Sequence, residues 1–206
     1  MLHGKRIVLI ISGGIGAYKS LDLIRRLRER GSAVRCVLTA SATHFITPLS
    51  VSALSADRVY GDMFSLMDEA EMGHIQLSRD ADLIVVAPAT TNIMAKMAQG
   101  IGDDLATTVL LATDKDVLVA PSMNVRMWEH AATRANIAML KSRGIKFAGP
   151  TEGAMACGEF GEGRMVEPLD IVAEIETYFA TSARLAGRRA IVTSGPTLEA
   201  IDPVRY

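Results

Sequence analysis

The chain has 206 residues, 49% of them hydrophobic and 22% charged, with a formal net charge of −1. That length suits one domain, or one domain and a piece of a second, with enough apolar content for a sizeable core. A near-neutral charge without a basic block argues against nucleic acid or an anionic membrane as partners, and no apolar run is long enough to span a bilayer.

The two cysteines, Cys36 in "VRCVL" and Cys157 in "TEGAMACGEFGEGRM" (151–165), offer no disulfide framework. The opening "MLHGKRIVLIISGG" has the apolar run of a buried strand ending in a glycine turn, unlike a secretory leader. Together these point to the cytoplasm. Histidines and cysteines are scattered without ligand spacing, so no metal site is expected.

In chain order, "RIVLIIS" (6–12) reads as a buried strand, "GGIGA" as a turn, and "YKSLDLIRRLRER" as an amphipathic helix closed by Gly31. "AVRCVLT" (33–39) is a second strand, followed by helical turns around "THFI" and "PLSVSALS". "DLIVVAPA" (82–89) and "DVLVAPSM" (116–123) are further apolar strands, each running into a proline-containing loop. "NIMAKMAQG", "DLATTVLLA", "NIAMLKSRG" and "PLDIVAEIETYFA" have helical periodicity, and "IKFAG" reads as a short strand. "TEGAMACGEFGEGRM" is too polar and glycine-rich for a core element and reads as a mobile flap. Alternating strands and helices predict an α/β fold, a three-layer, doubly wound, mainly parallel sheet of Rossmann-like type. Ligands in such folds bind beyond the carboxyl ends of the strands. Residues 1–180 form this domain, 181–189 have linker composition, and 190–206 begin a new strand-and-turn pattern.

The first strand-end loop, "SGGIGAYKS", fits neither common phosphate motif. A P-loop requires a second glycine where Tyr18 stands, and the dinucleotide fingerprint meets Lys19 in place of its third glycine. The acidic residue that grips a ribose is also missing after the second strand, where Thr39-Ala40-Ser41 offer hydroxyls and amides better suited to a phosphate monoester. Two readings stay open: a turn serving helix–strand packing, and a mononucleotide site with phosphate at a helix N-terminus. "APATTNIMAK" (87–96) supplies small residues, hydroxyls and Asn92, though Thr90 or Thr91 could simply cap a helix. "APSMNVRMW" (120–128) adds Met123, Asn124, Met127 and the only tryptophan. A Met/Trp cluster is often core, but an amide directly after a strand end is poorly placed for packing. His74 precedes a helical pattern leading into the 82–89 strand, so its imidazole could face the strand-end crevice.

"SGGIGAYKS", "GHIQL", "PATTNIMAK", "PSMNVRMW" and "ACGEFGEGRM" stand in an order that resembles the homo-oligomeric flavin-containing cysteine decarboxylases, over residues 6 to about 170. The resemblance is strongest to the branch that converts 4′-phosphopantothenoyl-L-cysteine to 4′-phosphopantetheine in coenzyme A biosynthesis. The tail "TSGPTLEAIDPVRY" resembles the opening of a phosphopantothenate–cysteine ligase domain, so ligase activity is not expected of this chain. "PATTN" departs from the more usual PASAN but keeps a hydroxyl.

The resemblance implies FMN as cofactor, with thiol oxidation to a thioaldehyde, loss of CO2 and reduction of the enethiolate. It assigns His74 to the oxidation as base or positioning group, Asn124 to the substrate carboxylate, and Cys157 to the final proton. It places FMN on Gly13, Gly14, Ile15, Thr39, Ser41, Ala89, Thr90, Asn92, Ser122 and Met123. Asn124, Met127, Arg164 and Arg79 would contact the small-molecule substrate. It further implies a homo-oligomer of trimers assembled into a dodecamer, and a lid formed by the flap. Competing readings are a flavin-binding regulatory subunit, a peptidyl-cysteine decarboxylase, a flavin prenyltransferase of the same fold, and a nicotinamide dehydrogenase. The last is disfavoured by the defective fingerprint, and the regulatory reading by the absence of an acidic tail.

Overall fold

A computed structural model describes residues 2–61, 73–156 and 158–181. Its frame is a six-stranded parallel sheet of β1 (Arg6–Ile11), β2 (Ala33–Leu38), β3 (Val59–Tyr60), β4 (Leu83–Ala89), β5 (Val117–Pro121) and β6 (Lys146–Phe147). The spatial order is β3-β2-β1-β4-β5-β6. The chain winds outward from β1 in one direction and then returns to β1's other side at β4, so the switch point lies between β1 and β4.

The helices are α1 (Ala17–Glu29), α2 (Pro48–Ser55), α3 (Gly73–Asp80), α4 (Thr91–Gln99), α5 (Leu105–Ala112), α6 (Val125–Glu129), α7 (Ala131–Ser142) and α8 (Pro168–Thr181), with a short 3-10 turn at Ala40–His44. Strand alternation assigns the two faces. Ile7, Leu9 and Ile11 pack with Leu23, Ile24 and Leu27 of α1 and Ile171, Val172 and Ile175 of α8. Val8 and Ile10 point the other way, into a cluster with Leu77, Ile93, Val109, Ile137 and Leu140 from α3, α4, α5 and α7. Each fully buried Leu or Ile side chain contributes about 1.5–3 kcal/mol relative to exposure, so both layers are strongly held to the sheet.

The doubly wound architecture expected from the sequence is the one observed. Three elements escaped it. β3 is a two-residue edge strand, too short for a pattern. α6 is a five-residue turn of helix hidden inside the fourth strand-end loop. The glycine-rich flap forms an antiparallel hairpin, β7 (Thr151–Ala154) with β8 (Phe160–Arg164). Its strands are mostly exposed, so backbone pairing and not hydrophobic alternation defines them. Helix α8 takes in Thr181, the first residue of the expected linker; the rest of the linker and residues 190–206 lie outside the described residues.

Candidate active site

Pro88 interrupts the sheet ladder, which shifts register between Val86 and Ala89. Two serines from the β1–α1 segment answer the carbonyls in that gap: Ser20 Oγ donates to Ala87 O at 2.7 Å, and Ser12 Oγ lies 2.7 Å from Pro88 O. Ser12 Oγ also sits 3.1 Å from Thr90 Oγ1 and accepts from Thr90 N at 3.3 Å. Thr90 is the N-cap of α4 by backbone geometry, yet its side chain makes no cap hydrogen bond. Its hydroxyl instead ties the first and third loops across the switch point.

Glycines let these loops approach. A Cβ on Gly13 would fall 2.3 Å from Ser41 Cβ and 2.6 Å from the Ser41 carbonyl carbon, so only glycine fits where the first loop meets the second. A Cβ on Gly16 would stand 2.7 Å from Ser122 Oγ, where the first loop meets the fourth. The result is a cavity of about 500 Å³ at the carboxyl end of β1, β4 and β5. That is the size of an ordinary small-molecule site. Gly13–Gly16 and Thr90–Asn92 line it, and the glycines among them leave a surface a flat heteroaromatic ring and a phosphate monoester can approach closely. Among the described residues neither the Ser122 hydroxyl nor the Asn92 amide has a hydrogen-bond partner, so both are available to a ligand. These features fit FMN.

The cavity gathers Gly13, Gly14, Ile15, Thr90, Asn92, Ser122, Met123, Asn124, Met127 and Arg164 of the expected site residues. Asn124 is the N-cap of α6, its Oδ1 accepting from Met127 N at 2.8 Å. With Oδ1 engaged by an N–H, the Nδ2 hydrogens are the amide's unengaged donors at the cavity. No side-chain cation among the lining residues sits on this loop.

Four expected residues are not brought to the cavity wall. Ser41 supports it from behind by packing on Gly13. Thr39 caps the 3-10 turn, its Oγ1 accepting from Ala42 N. Ala89 is fully buried, its carbonyl accepting from Ser122 N at 3.0 Å. Arg79 is placed at the opposite end of the sheet. A helix leading into a parallel strand runs antiparallel to it, so the first turn of α3 stands at the carboxyl edge and its last turn at the amino edge. Arg79 belongs to the last turn, near Asp114 of the loop that precedes β5, whose carboxyl it helps hold below the usual range, after the larger effect of Lys115. His74 is the second residue of α3 and so belongs to the first turn. Cys157 lies outside the described residues.

Sequence reasoning expected the flap to reach the site through Arg164 and Cys157, but missed its hairpin form, its further lining residues and Lys19. Met155, Ala156, Gly163 and Met165 line the cavity beside Tyr18 and Lys19. The hairpin is anchored along β8. Met123 N donates to Gly163 O at 2.9 Å, and Trp128 Nε1 donates to Glu162 Oε2 at 2.8 Å. Arg134 lies over the Trp128 ring at 4.9 Å and 3.7 Å from the same Glu162 oxygen. A Cβ on Gly163, whose φ is +126°, would fall 2.6 Å from Met123 O. The lone tryptophan is thus both core and clamp. Met155 N donates to Glu159 O and Gly158 N to Met155 O, each at 2.9 Å, closing the hairpin's turn.

Fold and cavity together define an α/β protein built to hold a mononucleotide cofactor at its switch point. The flavoprotein family model matches residues 1–180, and the chain belongs to that family. A model for the DNA/pantothenate metabolism flavoprotein C-terminal domain matches residues 185–206. The coenzyme A biosynthesis bifunctional protein CoaBC of Vibrio vulnificus strain YJ016 is 51% identical over 205 residues, covering 100% of this chain and 51% of that protein. CoaBC of Escherichia coli K12 is 47% identical, with 100% and 50% covered. The chain therefore spans about half the length of these curated relatives. A cysteine-to-serine mutant of PPC decarboxylase, complexed with pantothenoylaminoethenethiol, is structurally similar with a TM-score of 0.74 and 31% identity over 85% of this chain and 98% of that one. The FMN binding protein AtHal3 gives 0.77 and 33% identity over 87% and 99%.

Proposed function

We propose that this chain is an FMN-dependent decarboxylase of coenzyme A biosynthesis, acting on 4′-phosphopantothenoyl-L-cysteine to give 4′-phosphopantetheine and CO2. The observation that carries this reading is the convergence, on one cavity, of the glycine-lined floor, the Asn124 amide and the hairpin that bears "ACGEFGEGRM". Gly13, Gly14, Ile15, Thr90, Asn92, Ser122 and Met123 would hold FMN. Bound FMN supplies the reversible two-electron exchange by which the substrate thiol becomes a thioaldehyde and the later enethiolate is reduced.

The chain's own residues orient the substrate and handle its protons. The Nδ2 hydrogens of Asn124 donate to the substrate carboxylate. A neutral donor holds that carboxylate without the stabilisation a cation would give an anion that must be lost. His74 assists removal of the thiol proton or positions the thiol, a task suited to a group titrating near neutrality. Cys157 returns a proton to the enethiolate carbon, since a thiol of ordinary pKa about 8.5 is mostly protonated at pH 7. Met127 lies against the substrate, and Arg164 takes an anionic or amide group of its pantothenoyl phosphate arm.

A homo-oligomer of trimers forming a dodecamer belongs to the same reading, supported by apolar side chains exposed near the cavity: Ile15 at 61%, Tyr18 at 58% and Phe160 at 71%. A cytoplasmic setting is part of it too; among the described residues no helix is long and apolar enough to cross a membrane. Purified protein should be yellow and release FMN on denaturation, and light scattering should give a mass that is a multiple of the trimer. A colourless protein that takes up no FMN would sink the reading. Decarboxylation of a peptide ending in cysteine in preference to the phosphorylated substrate would move it to the peptidyl-cysteine class.

A further inference from the structure

Lys19 stands where the dinucleotide fingerprint needs its third glycine, and it does something else. Its side chain is only 6% exposed, and its ammonium donates to Met165 O at 2.7 Å and to Glu167 Oε1 at 2.9 Å. The same Oε1 accepts from Arg164 Nη2 at 2.7 Å. One carboxylate oxygen thus joins a buried cation from the start of α1 to a half-exposed cation at the end of the hairpin. The guanidinium reaches Glu167 by lying across Gly153 of the partner strand, where a Cβ would come within 3.1 Å of both Cδ and Nη1 of Arg164.

We infer that Glu167 and Lys19 are positioning residues that fix the Arg164 guanidinium at the cavity mouth for an anionic or amide group of the substrate. Glu167 takes one arm of the guanidinium and leaves the Nε and Nη1 hydrogens for a ligand. Lys19 keeps Glu167 in place and matches its charge, so Arg164 retains its own positive charge for the substrate. Burial of Lys19 makes the arrangement stiff, because moving its ammonium would strand Met165 O without a donor. A guanidinium held this way loses less side-chain freedom when substrate binds than one waving in solvent. Both cations hold the Glu167 carboxyl below its ordinary value, Lys19 foremost.

This inference rests on the reading that Arg164 contacts substrate, and the two separate cleanly. Flavin-loaded Glu167→Gln, a near-isosteric change at a half-exposed site, should raise KM for 4′-phosphopantothenoyl-L-cysteine about tenfold, inside the range typical of directly coupled residues. Its kcat should stay within about threefold and its FMN content should not change. Arg164→Ala should raise KM at least as much, and the double variant should match Arg164→Ala alone. In ¹⁵N-arginine spectra the Arg164 Nη hydrogens should exchange slowly in the wild type and become averaged in Glu167→Gln. A KM unmoved by Glu167→Gln while Arg164→Ala raises it, or effects that simply multiply in the double variant, would overturn the positioning role. An unmoved KM in Arg164→Ala would overturn the contact and the positioning together. Nη signals already averaged in the wild type would overturn it whatever the turnover.

Discussion

Asn124 accepts the Met127 amide hydrogen through its side-chain oxygen at 2.8 Å, so one residue caps a helix and turns its NH2 end toward the cavity. The two tasks can be separated by substitution. Asn124→Asp keeps the cap, since a carboxylate oxygen serves an N–H equally well, but presents an anion to the substrate carboxylate. It should melt at the wild-type temperature and release no CO2. Asn124→Ala should lose activity and also about 1 kcal/mol of stability through the lost cap. Equal turnover by Asn124→Asp and wild type would remove Asn124 from the carboxylate.

Ser12 is 2% exposed and bridges Pro88 O and Thr90. Ser12→Ala leaves a buried carbonyl without its donor and frees the Thr90 hydroxyl, at a cost of about 1–3 kcal/mol. Urea unfolding should show that loss, and FMN titration of the apoprotein by fluorescence quenching should show weaker binding. Unchanged flavin affinity would mean that the link between the first and third loops does not shape the floor.

Gly13→Ala should be severe, because the new Cβ would strike backbone as well as side chain. Ser41 Cβ, C and O lie 2.3, 2.6 and 2.7 Å from it. The protein should purify without flavin, and Ser41→Gly in the same chain should not restore it. Rescue by Ser41→Gly would show that the side chain alone set the limit.

Cys36 should be unreactive in the native protein. Cys36 is fully buried, and burial, reinforced by the charge of Asp57, pushes its thiol up to about 12. Iodoacetamide at pH 8 acts on thiolates. Mass spectrometry should therefore find Cys36 unmodified in the native protein and modified after denaturation. Labelling of native Cys36 at the denatured rate would contradict its burial.

Glu167 gives a pH signature. Its folded carboxyl titrates below the ordinary value of 4.5, held down first by the Lys19 hydrogen bond. The stabilisation is therefore fully present above pH 4.5 and is lost as pH falls through the lower, folded value. The melting-temperature difference between wild type and Glu167→Gln should be constant at neutral pH and shrink in acid. A difference that grows on acidification would reverse the assignment.

The sheet and its helices were legible because burial writes itself into period. "IVLII" (7–11) and "LIVVAPA" are buried throughout, and the helices flanking them repeat every three or four residues. The cavity's floor was legible from glycine and hydroxyl types at strand ends. The hairpin was not, since its pairing is made by backbone groups that leave no hydrophobic pattern, and four of its nine paired-strand positions are glycine or alanine in "TEGA" and "FGEGR". Lys19 was seen only as a motif defect, because its partners Met165 and Glu167 are 146 and 148 residues away. Arg79 stands at the far end of its helix from this chain's cavity, which residue type alone does not reveal.

The most direct measurement is turnover of 4′-phosphopantothenoyl-L-cysteine by the purified, flavin-loaded chain, following CO2 and the organic product together. Equal amounts of CO2 and 4′-phosphopantetheine are expected, with Cys157→Ser releasing CO2 but accumulating an oxidised, enethiol-type product. A yellow protein that releases no CO2 from this substrate would contradict the decarboxylase assignment and leave a flavin-binding protein without this chemistry.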